Sequence, residues 1–242
     1  MAVGGSFGAT PTWRGLTLAA GATQLSAHTL GGAKVRRELT EQEIERHNAL
    51  YEQANGLLKG EVLIDGQAVS NRPGFLGRRK LRRATRLFEE VLKLNPENWP
   101  AVFFMAKARH RLGDTEEALQ FMLRAHRGDP TVSGFAREAG LVAGQLGRFQ
   151  ESIELTKRAI ETRPTDGSLY SNLGLSCLLA GEPSQAVQAF ERAVELERDH
   201  HLTPQLLWVA RQVLAGSLPA PRSEAEVARA AQQAAEADGR GL

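Results

Sequence analysis

Between Leu81 and Arg198 the small and large apolar positions of the chain recur every 34 residues. Stepping from Ala84 gives Ala118, Ser152 and Ala186; from Phe88, Met122, Thr156 and Phe190; from Val91, Ala125, Ala159 and Ala193. Proline recurs at Pro96, Pro130 and Pro164 and gives way to Arg198, and glycine recurs at Gly113, Gly147 and Gly181. Met105-Ala106, Ala139-Gly140 and Leu173-Gly174 fall into line upstream of each glycine. Each unit is therefore predicted as two short amphipathic helices. The first ends at the glycine, which suits a left-handed cap. The second opens just after it: Asp114 with Glu117 has the spacing of a capping box, and Pro183 suits a first turn. It ends ahead of the proline, which disfavours helix in the residue before it. Small residues recur where two helices approach closely, with large apolar residues beside them. One such pair cannot bury its apolar face alone, so neighbouring pairs must stack.

This pattern resembles the tetratricopeptide repeat. The small residue of its first helix stands here as Ala106, Gly140 and Gly174, and the small residue opening its second helix as Ala84, Ala118, Ser152 and Ala186. The aromatic that follows is Phe88 or Phe190 in two units but Met122 and Thr156 in the middle ones. The tryptophan and tyrosine usual in the first helix are mostly replaced: Val102 and Ala136 stand at the first place and Arg109, Ala143 and Cys177 at the second, with Tyr170 a fair substitute. The resemblance covers about half the chain. It implies an all-α, right-handed α-solenoid of about four helix-turn-helix repeats, and a protein that binds another protein or peptide without catalysis or a cofactor. The matching residues are packing residues, so they name no partner.

The repeat domain is expected over residues 39–216, with its first unit at 39–98. Thr40 and Glu43 form a capping box, and Leu39 and Ile44 have hydrophobic-staple spacing. The first helix runs to about Lys59 with Ala49, Leu50, Gln53, Ala54 and Leu57 inward. An insertion at 60–77 separates it from a second helix expected over 78–95. Around Asp65-Gly66 in that insertion, Val62 to Ile64 and Ala68-Val69 suit a β-hairpin or equally an extended loop. Regular units follow at 99–132, 133–166 and 167–200. A closing helix at 203–215 covers the last apolar face with Leu206, Leu207, Val209 and Leu214, and Trp208 is its candidate anchor. The Ala-rich remainder, 217–242, has few large apolar residues with which to dock and is expected to be a mobile tail.

Ahead of the repeats, residues 1–38 are expected to be a disordered leader or a targeting segment. No acidic residue occurs before Glu38, and Arg14, Lys34, Arg36 and Arg37 stand among Gly, Ala, Ser and Thr. That profile suits an organellar transit peptide. A secretory signal fits less well, because only Arg14 precedes the mildly apolar stretch Gly15 to Ala20. The expected compartment is the cytoplasm, or an organelle if the leader is a transit peptide. No apolar run approaches the length of a membrane span.

Composition excludes several classes of chemistry. The single cysteine, Cys177, rules out an intrachain disulfide or a multi-cysteine metal site and reads as a buried apolar residue. His28, His47, His110, His126, His200 and His201 include no pair with zinc-ligand spacing and a suitable carboxylate. The glycine pairs Gly4-Gly5 and Gly31-Gly32 lack the Gly-Lys-Ser/Thr of a phosphate loop. No catalytic residue, metal site or cofactor is expected.

Two candidate binding surfaces remain. First helices line the groove in proteins of the resembled family, and the face opposite the packing residues carries Phe103, Lys107, His110 and Arg111, then Arg137, Leu141 and Gln145, then Ser171, Leu175 and Leu178. That groove is basic and aromatic at one end and apolar at the other, unless Leu175 and Leu178 instead pack the closing helix. The carboxylate clamp of some family members is incomplete: Arg137 and Asn172 occupy two of its places, but Leu141 replaces an asparagine, and Leu202 and Leu206 replace cations. The other surface is the basic cluster Arg72, Arg78, Arg79, Lys80, Arg82, Arg83 and Arg86. Cations near a helix N-terminus oppose the helix dipole. Either they pair with Glu41, Glu43, Glu45 and Glu52, or they meet an anionic partner such as nucleic acid, an acidic protein or lipid. With Phe88 committed to the core, a stacking platform for nucleic acid is poorly supplied with aromatics. Nucleic acid is the alternative partner, a protein the favoured one.

Overall fold

The structure, a computed structural model, describes residues 39–62, 73–197 and 202–237. The expected leader, Arg72 and the choice between hairpin and loop at 63–72 lie outside these residues. The described residues form ten helices and no strand: α1 (Glu41–Leu58), α2 (Phe75–Leu94), α3 (Trp99–Leu112), α4 (Thr115–Gly128), α5 (Ser133–Gln145), α6 (Phe149–Thr162), α7 (Gly167–Leu179), α8 (Pro183–Leu196), α9 (Thr203–Leu214) and α10 (Glu224–Ala237). Each helix packs chiefly on its neighbours in the chain, the arrangement of a solenoid.

Local signals account for most helix ends. Gly113, Gly147 and Gly181 adopt φ of 102°, 74° and 79°, which a residue with a Cβ rarely tolerates. The helices α2, α4 and α6 stop at the residue before Asn-Pro, Asp-Pro and Arg-Pro. The Thr40–Glu43 capping box is present in both directions. Asp114 is the N-cap of α4 but makes no side-chain cap, and the Glu117 side chain accepts from Arg109 at 2.7 Å instead of turning back to the cap.

The period is a packing rule. Ala84, Phe88, Val91, Ala118, Ala186 and Phe190 are fully buried. A Cβ added to Gly174 would lie 2.7 Å from the Phe190 ring, and one added to Gly140 would lie 3.0 Å from Thr156 Oγ1. In the α5–α6 and α7–α8 units the small residue of the first helix thus faces the variable residue of the second. Where that residue shrinks to Thr156, hydroxyls join in, and Ser152 Oγ lies 2.8 Å from Ser176 Oγ across α6 and α7.

Four expectations are corrected. On α1, Ala49 and Gln53 are exposed and His47, Ala54 and Leu58 are buried, because the helix turns His47 toward Asn98 of the α2–α3 connection. The helix α2 begins at Phe75 rather than 78, shortening the insertion. Trp208 is 41% exposed and anchors nothing; Leu206, Val209 and Ala210 hold α9. The tail is not loose over 224–237: α10 packs on α9 and buries Val227, Ala231 and Ala234. These three repeat the spacing of Ala186, Phe190 and Ala193. Ser223 Oγ accepts from Glu226 N, and Glu226 accepts in turn from Arg222 N, which starts the helix.

Candidate functional site

The first helices α3, α5 and α7 bring part of the expected groove together. Lys107 on α3 reaches Glu138 on α5, with Nζ 3.0 Å from Oε2, and Arg137 Nη2 lies 2.8 Å from Oε1 of the same carboxylate. Two cations therefore share one carboxylate and leave a net positive charge. Burial pushes the Glu138 carboxyl up, but Lys107 and Arg137 outweigh it and hold it at about 2. The Nε of Arg137 is buried without a hydrogen-bond partner among the described residues. Sequence reasoning missed Glu138, although it is the only carboxylate in α5 and directly follows Arg137.

Further along the same face, Leu141 is 40% exposed, while Asn172 and Leu175 are partly exposed. His110 is bound to Gln145 at 2.7 Å, and Arg111 Nε donates to the Glu61 carbonyl at 2.8 Å, closing the N-terminal edge. Glu224, the first residue of α10, joins Leu141, Asn172 and Leu175 around a cavity of ≈ 30 Å³, space for about one water. The apolar end of the groove is thus bordered by the chain's own last helix.

Three expected groove residues lie in the core. Phe103 packs on Phe135 with ring centroids 4.8 Å apart, although its face still lies under Lys107. Ser171 is buried and bonded to Thr203 across 3.0 Å. Leu178 is fully buried with Leu206, Val209 and Ala210 of α9, so it packs the closing helix. Each first helix touches both its own partner and the next unit, which leaves a narrower free arc than helical spacing alone suggests.

The basic cluster is exposed along α2. Lys80 pairs with Glu61 at 3.4 Å. Arg78, Arg79, Arg82, Arg83 and Arg86 form no ion pair among the described residues, so these five do not make the expected pairing with Glu41, Glu43, Glu45 and Glu52. On their own helix, Glu89 is taken by Arg109 and Glu90 by Lys93.

Other chemistry is sparse. Cys177 is buried, and burial with nearby Glu182 pushes its thiol up to about 11. Among the described residues no three His, Cys, Asp or Glu gather as metal ligands, and no helix is long and apolar enough to cross a membrane.

Two tetratricopeptide repeat models match the chain, over residues 75–133 and 137–200. Small glutamine-rich tetratricopeptide repeat-containing protein 2 of Mycosarcoma maydis is 27% identical over 90 residues, 37% of this chain and 26% of that protein. Human tetratricopeptide repeat protein 7B is 23% identical over 130 residues, 54% of this chain and 15% of that one. The chain therefore spans only a minor part of either relative. Among solved structures, MamA from Desulfovibrio magneticus RS-1 superposes with a TM-score of 0.61 at 15% identity, covering 81% of this chain and 95% of that one. Pseudomonas aeruginosa PilF superposes with a TM-score of 0.56 at 17% identity, covering 83% and 87%. These likenesses show the fold.

Proposed function

This chain belongs to the tetratricopeptide repeat family, and we propose that it is a non-enzymatic adaptor that holds a partner's peptide segment on its inner face. Such repeats generally mediate binding between proteins. The segment carries an acidic group for the Lys107–Arg137 end and an apolar side chain for Leu141 and Leu175. The observation behind this reading is the shared carboxylate: Glu138 neutralises only one of the two cations Lys107 and Arg137, whose side chains stay partly exposed. The adaptor acts in the cytoplasm on this reading; an N-terminus trimmed in protein from its own cells would speak for an organelle.

The test is affinity purification followed by peptide arrays built from the recovered partners. Leu141→Glu places a charge on the exposed face, and Arg137→Gln removes the surplus cation while Lys107 keeps Glu138 paired. Both variants should keep the helical circular dichroism of the parent and lose acidic-apolar peptides. Equal peptide binding by parent and variants removes the groove from the account.

A further inference from the structure

We propose that the exposed face of α2 docks the protein on an anionic membrane surface. At about 100° per residue, Phe75, Leu76, Arg79, Arg82, Arg83 and Arg86 fall within an arc of about 120° on α2. Gly77, Leu81, Ala84, Thr85, Phe88 and Val91 occupy the opposite, buried side. The exposed arc is about 17 Å long at 1.5 Å per residue. Phe75 is 82% exposed and Leu76 68%, side by side at the start of the helix. Arg78 and Lys80 flank the stripe.

Nothing in the fold calls for this arrangement. The N-cap of α2 is Gly74, with no side-chain cap, and the first turn has no acidic residue. Arg78, with Arg79 next to it, stands against the positive end of the helix dipole, and Arg82, Arg83 and Arg86 follow along the helix. None of the five is neutralised among the described residues, even with the acidic α1 packed alongside. Unpaired charge beside two apolar side chains in water indicates an external partner that is both anionic and apolar. A lipid headgroup layer is that partner: arginines engage phosphates while Phe75 and Leu76 enter the boundary with the acyl chains. A nucleic acid supplies the charge but has no use for Leu76.

The experiment uses the full chain and vesicles of phosphatidylcholine with or without phosphatidylserine, read by co-sedimentation. Binding is expected only with phosphatidylserine and should fall as salt rises. Each arginine of the stripe replaced by Gln should weaken partitioning by about fivefold. Phe75→Ser with Leu76→Ser, which leaves the charge intact, should also weaken it. All six positions are exposed, so circular dichroism should be unchanged. Equal sedimentation with both lipids overturns the proposal. So does binding to a single-stranded or duplex oligonucleotide that the Phe75/Leu76 variant leaves unaltered, with no binding to phosphatidylserine.

Discussion

Asn98 Nδ2 donates to His47 Nε2 across 3.0 Å, joining α1 to the start of α3 over 51 residues of chain. Asn98 Oδ1 is already committed to Ala101 N at 2.9 Å, which caps α3. The amide nitrogen must therefore face His47, and Nε2 of the imidazole must accept. The ring proton then sits on Nδ1, which donates to Asn48 Oδ1 at 3.0 Å. Asn98→Ala removes the cap and leaves a buried acceptor alone, so a loss of about 2–3 kcal/mol is expected. Urea unfolding measures it. A double-mutant cycle with His47→Ala should give a coupling energy; strict additivity would mean the pair is incidental.

Gly174 and Phe190 make the repeat rule testable. A methyl on Gly174 would meet the ring at 2.7 Å. Gly174→Ala should destabilise by about 1–3 kcal/mol through overpacking, and Phe190→Leu beside it should recover part of the loss. Phe88→Ala and Phe190→Ala, both at fully buried positions, should each cost about 3–5 kcal/mol. Losses well below 1 kcal/mol would show that these rings are not core residues.

The pH dependence of stability follows from Glu138. Its folded-state carboxyl, held at about 2, lies below its ordinary value of 4.5. The folded state therefore binds fewer protons than the unfolded chain in that window. The stabilisation is complete above the unfolded value and is lost as pH falls toward and through about 2. The loss is on the order of 3 kcal/mol. Glu138→Gln should be less stable than the parent at neutral pH, and their urea midpoints should converge on acidification. Parallel midpoints down to the acid limit would contradict the shared-carboxylate geometry.

Packing was legible in the sequence and electrostatics was not. Ala84, Phe88, Gly140 and Gly174 recur because each unit solves the same contact problem, so the fold shows as a period. Glu138 occurs once, and its role depends on Lys107 on another helix. Phe103 and Ser171 were misplaced because a solenoid helix packs on two sides. The docking of α10 was hidden by size: Val227 and Ala231 are small, but Leu175, Leu179 and Leu206 on α7 and α9 supply the bulk. The Ser223–Glu226 spacing was the available signal for that helix.

Cys177 should be silent in the folded protein. With its thiol pushed up to about 11 and its side chain buried, little thiolate exists at neutral pH. Iodoacetamide labelling should proceed at the rate of opening and accelerate with urea through the unfolding transition. Labelling at the rate of a free thiol in water would place Cys177 at the surface.

The last helix separates stability from binding. Removing residues 218–242 exposes the face of α9 that Val227 and Ala231 cover, and a loss of about 2 kcal/mol is expected from that apolar area, offset by the entropy of ordering α10. The same cut removes Glu224 from beside Leu141, Asn172 and Leu175. A carboxylate at the apolar end of the groove disfavours an acidic peptide, and its removal should tighten binding even as the fold weakens. Glu224→Gln isolates the charge: it should raise affinity for an acidic-apolar peptide in calorimetry while leaving the urea midpoint nearly unchanged. A truncated chain and a Glu224→Gln chain that both bind with parental affinity would show that α10 borders the groove without competing for it.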